Sequence, residues 1–187
     1  MPHTLPIHTL NATIGILCVI ILALTAHAST LADALQDADT QSADAMPADV
    51  RATSFDILYW PGVGGIVDCL LFIWVCVGRR KTTGNKRVWT AAVLFVASFI
   101  VVRPLVVLIY TFAENARGGT VEGWACMADG STAGNAWGMR KRVLCREGRA
   151  ARWLLVPVLV GAVGMLGCVC WGEWVGRKKT AEGEGLS

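Results

Sequence analysis

Long stretches of this chain carry no polar face at all. Residues 88–112, VWTAAVLFVASFIVVRPLVVLIYTF, hold one charge, Arg103. At about 25 residues the run exceeds the roughly 20 apolar residues that carry a helix across a hydrocarbon core of about 30 Å. A soluble helix of that length would show a polar stripe, and this one has none. Residues 57–78, ILYWPGVGGIVDCLLFIWVCVG, form a second such run, with Pro61 expected in its first turn. Residues 152–176 form a third, running apolar from Trp153 to Val175. The pattern predicts a transmembrane helix over each.

The N-terminal run, Ala12 to Ala26, is shorter. Ala26-His27-Ala28 places small residues where a signal peptidase reads, so residues 1–28 fit a signal peptide cleaved after Ala28. The first eleven residues lack the Lys or Arg such a peptide begins with. An uncleaved first transmembrane helix reaching about Leu31 is therefore the competing reading, and cleavage is the one favoured by the sequence. The fold class is an all-α integral membrane bundle of four hydrophobic helices, three if the first is a cleaved signal peptide.

Composition supports the membrane reading. Hydrophobic residues make up 54 % and charged residues 17 %, against about 45–50 % and about 25 % in soluble domains. The net charge of +3 says little, because the charges are segregated. Residues 29–56 are an acidic, low-complexity segment with Asp33, Asp37, Asp39, Asp44, Asp49 and Asp56 against Arg51, too poor in large apolar groups to offset the entropy of ordering. It reads as an extracytoplasmic tether in which Leu31 and Leu35 support one weak helical turn. Residues 79–87 pack Arg79, Arg80, Lys81, Lys86 and Arg87 into a short turn, the usual mark of a cytoplasmic loop. Residues 177–187, opening with Arg177, Lys178 and Lys179, form a cytoplasmic tail by the same rule. That leaves residues 113–151 as an extracytoplasmic loop. Its own basic residues, including Arg140, Lys141 and Arg142, run against this orientation.

Aromatic residues mark two belts at the expected headgroup levels. Tyr59, Trp60, Tyr110 and Trp153 fall at the outer ends of the runs, and Trp74, Trp89, Trp171 and Trp174 at or near the inner ends.

Two charges lie deep inside the apolar runs, away from their ends. Asp68 is about 16 Å and Arg103 about 14 Å from the outer ends of their helices at 1.5 Å per residue. On antiparallel neighbours these depths match, so the sequence predicts an intramembrane Asp68–Arg103 ion pair. It would lock the hairpin, or else line a proton or ion pathway or meet a charged transmembrane partner. Gly62, Gly64 and Gly65 beside it offer a surface on which another helix packs closely.

Of seven cysteines, only Cys126 and Cys145 lie in a polar segment. In an extracytoplasmic loop they are expected to form a disulfide, with Trp124 and Trp137 packing a small cap. Cys76, Cys168 and Cys170 lie near basic residues at the inner helix ends, where S-acylation competes with a plain buried role. Glu173 at the same level is expected to pair with a nearby Lys or Arg. Gly172 and Gly176 form a GxxxG spacing at a helix end, a weak dimer signal.

The three histidines, His3, His8 and His27, all fall within residues 1–28. A chain cleaved after Ala28 has no Ser-His or Cys-His pair and no His-ligated metal site. No phosphate loop or dinucleotide fingerprint is present. The expectation is a protein that is not an enzyme, takes no cofactor or metal and binds no nucleic acid. Its surroundings are the lipid bilayer and a membrane-protein partner or further copies of itself, in the plasma membrane or the secretory pathway, with the C-terminus cytoplasmic. The role expected is a structural or accessory subunit. An oligomeric transporter or channel component using Asp68 and Arg103 is the alternative.

Overall fold

The computed structural model describes residues 4–38, 53–81, 86–116, 120–126 and 136–184, with the side chains at the helix ends left aside. Every described residue except Thr120 is helical. The helices are α1 (Thr4–Ala38), α2 (Thr53–Lys81), α3 (Lys86–Ala116), the short α4 (Val121–Cys126) and α5 (Ala136–Glu184). Four of them, α1, α2, α3 and α5, are long and apolar enough to span a membrane.

The interior positions repeat at alternating spacings of three and four. In α1 they are Asn11, Ile14, Cys18, Ile21, Thr25, Ala28, Ala32 and Leu35; in α5 they are Ala151, Leu155, Val158, Ala162, Met165 and Val169. This seam suits nearly antiparallel helices packed side by side. Cross-contacts fix the directions. Along α1 and α2, Asn11 meets Cys69 and Ser29 meets Tyr59. Thr90 of α3 meets Glu173 of α5, and Phe112 meets Trp153. Each helix is thus antiparallel to its neighbours in a ring ordered α1–α2–α3–α5, and α4 lies against α5.

The outward faces are as apolar as the interior. Trp60, Leu70 and Trp74 on α2, Phe95, Val106 and Ile109 on α3, and Val160 and Trp171 on α5 all point away from the bundle. Water would penalise such a surface, whereas lipid chains solvate it. Tryptophans meet in pairs at one end of the bundle, Trp74 edge-on to Trp89 and Trp171 tilted against Trp174.

Helix limits exceed those read from hydropathy alone. Residues 136–151, assigned to a loop by composition, are the first turns of α5. Their Lys141, Leu144, Gly148 and Ala151 form a buried stripe that the many arginines hide. Residues 29–38, expected in the tether, extend α1 because Ala28, Ala32 and Leu35 are buried and continue its inward seam past the apolar run. Residues 39–52, the remainder of the acidic segment up to the start of α2, lie outside the described residues. Since α2 begins at Thr53, Pro61 is an interior residue and not a first-turn one. Its ring leaves the Ile57 carbonyl without its helical donor.

Candidate functional site

Asp68 of α2 and Arg103 of α3 meet inside the bundle. Arg103 Nε donates to Asp68 Oδ2 at 2.9 Å, and Nη2 donates to Oδ1 at 3.4 Å. Both bonds use one edge of the guanidinium, the fork that matches a carboxylate. The side chains are 8 % exposed for Asp68 and 23 % for Arg103. Gly64, one turn before Asp68, makes room for the guanidinium: a β-carbon there would overlap Arg103. An unpaired charge at this depth costs about 2.5–3.5 kcal/mol on insertion scales, so pairing is what makes both residues tolerable.

The neighbouring glycines serve a different helix. A β-carbon on Gly65 would collide with Cys18 Sγ, and one on Gly62 would sit 3.0 Å from Leu22 Cβ and 3.2 Å from its Cα. Gly62 and Gly65 therefore receive α1, while Gly64 receives α3. Asn11 Nδ2 adds a bond to the Cys69 carbonyl at 3.3 Å. Cys18 and Cys69 are free and buried in this seam.

At the end of the bundle where α5 begins, α4 is tied to α5 in three ways. Cys126 and Cys145 are joined by a disulfide. Arg152 Nη2 donates to Glu122 Oε1 at 2.8 Å. Lys141 Nζ lies 4.1 Å from the centre of the Trp124 ring, a cation–π contact. Thr120 caps α4 by accepting from the Gly123 amide at 3.0 Å. Burial pushes the Glu122 carboxyl above its ordinary range, outweighing the opposing pull of Arg152 and Arg149. Arg140 and Arg142 are exposed while Lys141 is buried, so the three do not form one basic face. The Trp137 side chain lies outside the described residues.

α1 is joined to the rest at several levels. His27 Nδ1 donates to Glu147, 2.9 and 2.8 Å from the two carboxylate oxygens, and Ser29 shares a hydrogen bond with Tyr59 at 2.9 Å. Ala26, His27 and Ala28 lie within unbroken helix, and Ala28 is fully buried. At the opposite end of the bundle Glu173 pairs with Arg79 and accepts from Thr90. Cys170 is exposed, and Cys76 and Cys168 are half-buried. Gly164, Gly167, Gly172 and Gly176 of α5 have nothing within 4 Å of a notional β-carbon, whereas Gly161 packs on Ile14.

Sequence reasoning missed the Glu122–Arg152 pair and the Lys141–Trp124 contact. The signal available was the stripe Lys141, Leu144, Gly148, Ala151 and Leu155, which continues the seam of α5. No family model, curated protein or solved structure matches the chain.

Proposed function

We propose that this is a small multi-pass membrane protein acting as a structural or accessory subunit of a membrane complex. The observation that carries the reading is the Asp68–Arg103 pair seated in its glycine slot. The two intramembrane charges satisfy one another through two hydrogen bonds, which suits a lock between α2 and α3. The open glycine face of α5 at Gly164 and Gly167 supports the interaction role, because helices approach closely over glycine in lipid.

The disulfide-linked cap belongs on the oxidising side of the membrane and the Arg79–Arg87 turn on the cytoplasmic side. This supports a cytoplasmic C-terminus, in a plasma or secretory-pathway membrane. We read α1 as a retained first span. The small residues around His27 suit a signal peptidase, but Ala28 is enclosed and His27 is held by Glu147. Of the cysteines open to S-acylation, Cys170 is the exposed one and the first target.

The test is extraction in a mild detergent, followed by sizing and mass spectrometry of everything that co-purifies in fixed ratio. A stoichiometric second membrane protein supports the accessory reading, and a pure monomer overturns it. The transporter reading draws on the partial exposure of the Arg103 side chain. It requires a homo-oligomer whose conductance or flux is lost in Arg103→Leu. The intact mass of the same preparation reads whether residues 1–28 are present.

A further inference from the structure

Arg152 is only 7 % exposed, yet Glu122 satisfies just one of its three nitrogens. Among the described residues, Nε and Nη1 meet no acceptor. Leaving buried donors dry costs more than a hydrogen bond gains, so such groups in folded proteins are completed by water or an ion. Nε–H lies on the edge shared with Nη2, and the Nη1 hydrogens point elsewhere. One acceptor atom does not serve both.

Arg152 also lines a cavity of about 20 Å³, together with Tyr110, Thr111, Glu114, Asn115 and Glu122 among others. A water needs about 10–15 Å³ and two to four polar partners, so the space suits one or two waters and nothing much larger. Two carboxylates against one guanidinium make the site a poor one for an anion. We propose that this cavity is an ordered-water site, where water accepts from the two unpartnered nitrogens of Arg152 and donates to the surrounding oxygens. The ion pair that ties α4 to α5 is then completed by solvent, at the level where the bundle meets the headgroups.

The test is water-edited solid-state NMR on the full chain in lipid bilayers with ¹⁵N-labelled arginine. The Arg152 Nε signal is assigned by its loss in Arg152→Lys. Its magnetisation should build up from water as fast as that of exposed Arg149 and several-fold faster than that of Arg103, whose Nε is held by Asp68. Build-up as slow as Arg103 overturns the proposal. If Arg152→Lys does not fold, a density map that shows ordered waters decides the matter. Solvent peaks at Nε and Nη1 support the site. A carbonyl from residues 117–119 in their place, or an anomalous peak from added bromide, overturns it.

Discussion

The guanidinium of Arg103 occupies the space that a β-carbon on Gly64 would need. One glycine thereby sets where the charge of a neighbouring helix comes to rest, and Asp68, one turn further along α2, receives it. Gly64→Ala should destabilise the bundle by about 1–3 kcal/mol, the usual range for overpacking. The side chain can move away from the new methyl only by loosening its bonds to Asp68. The same change in an Asp68→Asn, Arg103→Leu background should cost clearly less, as read by thermal unfolding in detergent.

Removing one member of the pair should hurt more than removing both. Arg103→Leu strands the Asp68 carboxylate, a loss of about 3–5 kcal/mol for well-buried pairs and toward the lower end here, because Arg103 is partly exposed. Asp68→Asn with Arg103→Leu should recover much of that. Equal accumulation of the single and double variants would show that the two charges are not coupled.

Gly65→Ala should be rescued by Cys18→Ala, whereas Gly62→Ala should not be rescued by Leu22→Ala. The first clash is with a sulfur that the second substitution removes. The second is with Leu22 Cβ and backbone, which remain. Rescue of the first pair also requires α1 to be present in the folded protein. If Gly65→Ala is silent in full-length chain of verified mass, the packing of α1 on α2 is not as described.

Cys145→Ser opens a loop with 19 residues of sequence separation. The chain-entropy model gives a loss of about 3 kcal/mol for a loop of this size. Because α4 is short and leans on α5, the loss should appear first as proteolytic sensitivity around residues 120–135. The wild type should migrate differently on reducing and non-reducing gels, and Cys145→Ser should not.

The raised carboxyl of Glu122 gives a pH dependence with a definite sign. Folding favours its protonated form, so its contribution is fully present below the ordinary value of about 4.5 and is lost as pH rises through the folded-state value. The unfolding midpoint of the wild type minus that of Glu122→Gln should therefore fall as pH increases through this window. A difference that stays flat, or rises, would mean that Arg152 outweighs burial.

The sequence carried the four long helices and the meeting of Asp68 with Arg103, because depth along an apolar helix can be counted from its ends. It did not carry the lengths of α1 and α5. Residues 29–38 are mostly alanine, aspartate, serine and threonine, with Leu31 and Leu35 the only large apolar residues, and locally favour a solvated chain. Their helix depends on burying Ala32 and Leu35 within the bundle, a tertiary gain that the weak turn at Leu31 and Leu35 signals only faintly. Residues 136–151 read as a loop because Arg140, Arg142, Arg146 and Arg149 dominate the composition, while the inward positions between them carry the packing. Glu122 and Arg152 are 30 residues apart, and nothing in either local segment announces the other.

α5 has a mechanical consequence. Its 49 residues form one strut of roughly 74 Å at 1.5 Å per residue, bolted near its N-terminal end to α4 and continuous to Glu184. The one interior proline, Pro157, lies just below Trp153 and removes a helical bond there. A force that tips the disulfide-linked cap meets this proline joint first. Whatever that joint does not absorb arrives at the far end as a sideways swing of the basic tail.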